Sequence, residues 1–428
     1  MFLLTTSALG GLFALLSRAR AVPAIIAILT TITVFAPFAT AAPTTTTEPT
    51  ATATPAANQY PLPHVGNLQV HDPSIIFYNN TYYLFKGAPF IDYFKAPNMD
   101  GPWTKVGTVL EAPSIIDKGN PRRPWAPTII HRNNMFYCFY AVTQGGTRNS
   151  SIGVATSPTA EPGTWTDHGA LINTGAGPGS DIHPYTVSNA IDPSVFIDPA
   201  DGKPWLTFGS YWTDIWQVPL TDDMLAIENA NAPAASHLSF LTLPGKNNAM
   251  LKSYPVDSDP QGERPEEGSW ISYKEPYYYL WFSRGKCCGF TEKNLPPPGQ
   301  EYAIHVGRAE NISGPYVDRN GQQLLRGGGH IVYASNHDGQ VYAPGGLGVL
   351  SRDNEPDILF YHYLNKTIGV KDEDALLGFN YLKYEDGWPV PMTREEETSG
   401  SPSHNVGDIV RRKGLALFTA WWVWFLFF

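Results

Sequence analysis

His71-Asp72-Pro73-Ser74-Ile75-Ile76-Phe77-Tyr78, then Asn79-Asn80, then Thr81-Tyr82-Tyr83-Leu84-Phe85, reads as an acid at the mouth of a strand, a polar turn and a second, aromatic-rich strand. By pattern it is a β-hairpin. The phrase recurs as Ala126-Pro127-Thr128-Ile129-Ile130 running to Phe136-Tyr137-Cys138-Phe139-Tyr140. It returns as Ile191-Asp192-Pro193-Ser194-Val195-Phe196 running through Asp201-Gly202 to Trp205-Leu206-Thr207-Phe208. Glu267-Gly268-Ser269-Trp270-Ile271 with Tyr277-Tyr278-Tyr279-Leu280-Trp281-Phe282 is a fourth copy, and Ala343-Pro344-Gly345-Gly346-Leu347 with Ile358-Leu359-Phe360-Tyr361 a fifth. The copies begin near residues 72, 127, 192, 267 and 344, at spacings of 55, 65, 75 and 77, which suit four-stranded blades with long loops. Between about residues 60 and 392 there is no helical periodicity and no Gly-rich phosphate loop. The expected fold is all-β, a five-bladed β-propeller.

Composition agrees. Of 428 residues, 13% are aromatic and 16% charged, with 39 Gly and 38 Pro, as in a turn-rich β protein able to bury a large core. A net charge of -10 offers no footprint for a phosphate backbone, so nucleic acid is excluded as a partner and a neutral ligand is favoured. Three cysteines do not make a disulfide scaffold. Cys287 and Cys288 are adjacent and leave open a ring disulfide or two free thiols, while Cys138 reads as a small core hydrophobe.

The ends differ from the body. Residues 1–41 carry Arg18 and Arg20, an apolar run from Ala21 to Phe38 and the cleavage pattern Ala39-Thr40-Ala41, a secretory signal for which an uncleaved anchor is the alternative. Residues 42–59 form a Thr/Pro/Ala-rich linker, residues 60–395 the propeller, and 396–413 a polar spacer. The apolar run 414–428 after small residues is the pattern exchanged for a glycolipid, with Ser399 or Gly400 as the attachment residue and Ser401 or Asn405 as further options. Sequons at Asn79, Asn149, Asn311 and Asn365 fit passage through a secretory pathway. The expectation is a secreted, GPI-anchored monomeric glycoprotein that meets the membrane only through its anchor.

In a propeller the innermost strand of each blade starts at the central channel, so the starts of the repeats face one another. Asp72, Asp192 and Glu267 fall at such starts, with Thr128 and Gly345-Gly346 at those of blades two and five. Singly, an Asp before Pro opens a turn and Glu266-Glu267 is a solvated pair. Converging in one cleft, three carboxyl groups repel one another and at least one pKa rises, leaving an acid and a base at the same pH. Glycoside hydrolysis needs that pair, with about 6.5–9.5 Å between them for inversion.

These residues resemble a known family. His71-Asp72-Pro73-Ser74, Trp125-Ala126-Pro127, Ala190-Ile191-Asp192-Pro193-Ser194, Phe208-Gly209-Ser210-Tyr211-Trp212, Glu267-Gly268, Cys287-Cys288 and Tyr361-His362-Tyr363 are similar to glycoside hydrolase family 43, and within it to fungal arabinan endo-1,5-α-L-arabinosidases, over residues 64–391. The resemblance implies inverting hydrolysis of internal α-1,5 links in the arabinan of pectin. It makes Asp72 the general base, Glu267 the general acid, and Asp192 the residue that tunes and orients the acid, with Glu266 a rival for the acid. Thr128 stands where the family pattern has an Asp, and Ala343-Pro344-Gly345-Gly346 where bacterial relatives carry Gly-Pro-Gly-His with its His near a metal. No essential metal or other cofactor is therefore expected, calcium being the one cation left open, and His337 reads as a surface or supporting residue. Phe90, Trp125, Tyr211 and Trp212 are the candidates to border furanose rings.

Two other readings compete. An exo-acting α-L-arabinofuranosidase or β-xylosidase of the same fold needs a loop across one end of the groove, for which Thr221 to Pro265 and Phe290 to Gln300 are long enough. A sugar-binding propeller without catalysis is disfavoured by the presence of all three acids.

Overall fold

The computed structural model describes residues 60–337 and 340–399. The expected signal, linker, most of the spacer, Gly400, Ser401, Asn405 and the apolar tail lie outside the described residues. Five antiparallel sheets follow one another along the chain. The innermost strands are Ser74–Tyr78, Trp125–Arg132, Ser194–Ile197, Glu266–Lys274 and Tyr342–Leu350, each paired to the next strand in sequence and beginning the five repeats read from the chain. In the first hairpin Tyr78 pairs with Thr81, and Asn79 and Asn80 both take left-handed dihedrals, as in a type I′ turn.

Each blade interface is filled by its own apolar cluster, because strands with two buried faces must pack on neighbours at both sides. Ile129, Phe136 and Cys138 of blade two meet Phe85 and Tyr93 of blade one. Phe139 and Val154 meet Leu206 and Phe208 of blade three, and Ile215 and Leu238 meet Leu280 and Phe282 of blade four. Trp281 and Val306 meet Leu347 and Leu359 of blade five, which closes onto blade one through Phe360 and Phe379 against Ile75 and Leu84. Cys138 is fully buried and unbonded.

A second seal runs around the channel, with a hydrogen bond at every interface. Ile129 N–H donates to Ser74 Oγ (3.0 Å), Thr128 Oγ1–H to Pro193 O (2.6 Å) and Gly268 N–H to Asp192 Oδ2 (3.2 Å). Gly346 N–H donates to Ser283 Oγ (3.1 Å), and Asp72 N–H to His362 Nδ1 (3.1 Å). The repeated Asp-Pro-Ser phrase thus latches blade to blade as well as presenting acids.

The ring is closed by a strand the sequence did not reveal. His64–Gln69 pairs antiparallel with Leu376–Glu385 as the outermost strand of blade five. The six-residue helix Arg394–Ser399 ties the two ends together: His64 Nε2 meets Glu397 at 2.8 Å and Arg394 donates to Pro63 O at 3.0 Å. The fold therefore runs past residue 395 to Ser399, into the stretch read as spacer. Gly66 permits the closure, since a Cβ there would sit 2.3 Å from Leu377 Cδ2. Gly66→Val is expected to cost about 1–3 kcal/mol by overpacking this contact, read as a lowered Tm. An unchanged Tm would contradict the closure.

Candidate active site

The backbone at the blade starts is alike. Asp72, Ala126, Asp192, Gly268 and Ala343 all have φ between 38° and 62°. Left-handed dihedrals tip the chain at the channel mouth, and such backbone concentrates at functional sites. In this alignment the blade-four counterpart of Asp72 and Asp192 is Gly268. Glu267 thus precedes the equivalent position by one residue and Thr128 follows it by two, which corrects the equivalence read from the sequence. The inner strands of blades two, four and five also continue upstream across a β-bulge, whereas those of blades one and three begin at Ser74 and Ser194.

Asp72, Asp192 and Glu267 nonetheless line one cleft of about 1010 Å³, with contributions from all five blades. Their surroundings differ. Asp72 is 31% exposed to the cleft, with Oδ2 2.9 Å from His71 Nδ1. Burial works to raise its pKa, but the His71 charge and the hydrogen bond His71 donates outweigh it and hold the carboxyl far below the usual carboxylate range. Glu267 is 8% exposed. Burial raises its pKa and the Asp72 charge adds to this, against hydrogen bonds donated by Ser210 Oγ (2.5 Å) and Tyr302 OH (2.7 Å). Asp192 is pushed well up by burial and by the charges of Glu267 and Asp72, with the Gly268 N–H partly opposing. One carboxyl thus stays ionised while two hold protons more tightly.

His362, stacked on His71 at 4.0 Å, has its pKa lowered to about 4 by burial and His71. It is therefore neutral at pH 7, and accepting the Asp72 N–H at Nδ1 leaves its proton on Nε2. A Cβ on Gly346 would lie 2.1 Å from Asp72 Oδ1 and 2.6 Å from His362 Nδ1, so the space beside residue 346 is taken by a histidine arriving from the neighbouring strand. His71, Asp72 and His362 together are one group whose ligand atoms lie within 4.8 Å. Two of those atoms, the ring Nδ1 of each histidine, are engaged with Asp72 itself.

Ser210, Tyr302 and His362 escaped the sequence reading as site residues. Ser210 and His362 stand inside the quoted motifs, but Tyr302 follows a loop and carries no local signal. Glu266, the rival acid, is fully buried away from the cleft, bonded to Arg284 Nε (2.7 Å) and Ser239 Oγ (2.6 Å). Trp125 lines the cleft and is 39% exposed. Tyr211 also lines it, while Trp212 does so from a buried position, donating Nε1–H to Pro255 O and Ser258 O. Phe90 is not in the lining and packs against the core between blades one and two. His337 lies outside the cleft, 3.5 Å from Glu301. Thr128, in place of an acid, spends its hydroxyl on the latch to Pro193. Cys287 and Cys288 are bonded to each other and line the cleft. Of the two insertions, the first supplies Asp257, Ser258, Asp259 and Glu263 to the lining, and residues 290–300 supply none. Among the sequons Asn79 and Asn311 are exposed, Asn149 and Asn365 partly buried.

Known proteins share this arrangement. The family model described as glycosyl hydrolases family 43 matches residues 63–389. A probable arabinan endo-1,5-α-L-arabinosidase D of Emericella nidulans is 54% identical over 333 residues, 78% of this chain and 82% of that protein. Among solved structures, the Cellvibrio cellulosa α-L-arabinanase complexed with arabinohexaose aligns with TM-score 0.63 at 25% identity, over 79% of this chain and 99% of that one. An exo-1,5-α-L-arabinanase from a bovine ruminal metagenomic library aligns with TM-score 0.61 at 26% identity, over 77% and 98%. With the match running from the closing strand to the last strand of blade five, this chain belongs to glycosyl hydrolase family 43.

Proposed function

We propose that this protein hydrolyses internal α-1,5-L-arabinofuranosidic links of arabinan with inversion. Asp72 is the general base that activates water, Glu267 the general acid that protonates the leaving oxygen, and Asp192 the group that tunes Glu267 and orients it by holding the N–H of the adjacent Gly268. The observation that carries this reading is the convergence of Asp72, Asp192 and Glu267 in one cleft, where the surroundings of Asp72 favour its ionised form and those of Glu267 its protonated form. Arabinanases among its relatives supply the substrate class. Trp125 and Tyr211 border the sugar, and Phe90 does not.

The test is incubation with linear arabinan, debranched arabinan and xylan, following viscosity, product length and the anomer first released. Rapid viscosity loss, short oligosaccharides and β-configured new ends are expected. Release of arabinose alone would establish the exo reading instead, with Asp257, Ser258, Asp259 and Glu263 of the first insertion as the cleft-lining residues to close the groove. His71 Nδ1 and His362 Nδ1 are both engaged with Asp72, and on this reading no metal is essential. Chelation with EDTA in the same assay is expected to leave the rate within about twofold, and a loss restored by calcium would overturn this.

Residues outside those described carry the remaining proposals: export by residues 1–41, a linker over 42–59, and a glycolipid replacing the tail at Ser399 or Gly400, which leaves a monomer at the cell surface. Ser399 is exposed at the end of its helix. Phosphatidylinositol-specific phospholipase C is expected to release the protein from membranes. Retention after treatment would exclude the anchor.

A further inference from the structure

We infer that the Cys287–Cys288 disulfide is an apolar platform for one arabinofuranosyl ring, a subsite on the blade-four wall beside the acid; this rests on the arabinan reading above. Both cysteines are partly exposed and both face the cleft, bonded to each other, so no thiol is free there. Their loop is held from four sides. Gly285 N–H donates to Pro265 O (2.9 Å), Lys286 N–H to Gln300 O (2.8 Å), Tyr302 N–H to Lys286 O (2.9 Å), and Gly289 N–H to Asp372 Oδ1 (2.9 Å).

Beneath the disulfide, Cys287 packs against the cluster of Phe290, Tyr302 and Tyr342. Tyr302 is the residue whose hydroxyl holds Glu267. Through Tyr302 the cluster that supports the platform is bonded to the proton donor. Sulfur is soft and polarizable and packs well against apolar groups, and the C–H face of a furanose is such a group. A fixed surface costs little entropy when it receives the sugar. The side chains flanking it are polar, Asp372 and Glu373, and suit the ring's hydroxyl edge.

The experiment measures arabinohexaose binding by titration calorimetry in the Glu267→Gln background, with and without Cys287→Ala/Cys288→Ala, and KM and kcat on linear arabinan in the otherwise native protein. Removal of the disulfide is expected to raise Kd and KM about tenfold, the size of losing roughly 50 Å² of apolar contact, with kcat within about twofold. Should the double variant fail to fold, the folded native protein reduced with a phosphine supplies the same comparison. Unchanged Kd and KM would overturn the platform. So would a fall in kcat with a shifted alkaline limb and unchanged Kd, which would assign the disulfide to holding Tyr302 instead. Failure of the native protein to bind or cleave any arabinan would sink the functional reading itself, a distinct outcome.

Discussion

Glu267→Gln is expected to lower kcat on linear arabinan by about 10²–10⁴, the usual worth of a general acid, with KM little changed. The substitution keeps the shape that Ser210 and Tyr302 grip but removes the proton. Its effect on stability runs the other way. The folded pKa of Glu267 is raised above the unfolded value, chiefly by burial, so its contribution is fully present below the unfolded pKa and lost as pH rises through the folded one. Gln at this position carries no such loss. The Tm difference between variant and native protein is therefore expected to move in the variant's favour as pH rises, a trend that melts at several pH values will check. A variant that loses activity and also loses stability progressively toward alkaline pH would contradict the assignment.

Asp72→Asn is the second large effect, again about 10²–10⁴ in kcat, with the opposite stability signature. The folded pKa of Asp72 lies below its unfolded value, so its contribution is present above the unfolded pKa and lost only as pH falls through the folded one. At neutral pH the Asn variant therefore loses stability. It also leaves His71, whose pKa Asp72 helps to raise against the effect of burial, without its carboxylate. Thermal melts of this variant at pH 7 should fall below native, and a melt equal to native would show that the His71–Asp72 pair is not formed.

Between them, these two groups set the native pH profile. Asp72 stays ionised well into the acid range, so activity is retained on that side. Loss of the Glu267 proton sets the alkaline limb, at a pH above the ordinary carboxylate range because Glu267 and Asp192 are both raised.

The repeat was legible because each blade begins with a phrase that its position demands. An acid or small residue turns the chain at the channel, Pro follows it in four of the five blades and needs no donor, and in blades one and two Ser74 and Thr128 bond to the neighbouring blade. The acids could be found for that reason, and Glu267 separated from Glu266 by the adjacent Gly268. Registration was harder. That Gly268, and not Glu267, takes the left-handed place of Asp72 and Asp192 shows only in the folded backbone. His64–Gln69 was missed because Gly66 and Asn67 carry weak strand propensity, and the pairing that makes it a strand is with residues more than 300 positions away. Tyr302 was missed likewise, since its contact with Glu267 exists only once blade four is folded. Phe90 looked available by composition alone, whereas the fold spends it on the core.

The most direct test of the assigned roles compares Glu267→Gln and Asp72→Asn on a 4-nitrophenyl α-1,5-arabinotrioside, whose leaving group departs without a proton. Glu267→Gln is expected to recover to within about tenfold of native on this substrate while remaining 10²–10⁴ below it on arabinohexaose, and Asp72→Asn to stay impaired on both. Equal impairment of the two variants on both substrates, or rescue of Asp72→Asn alone, would contradict the division of the site into one proton donor and one base.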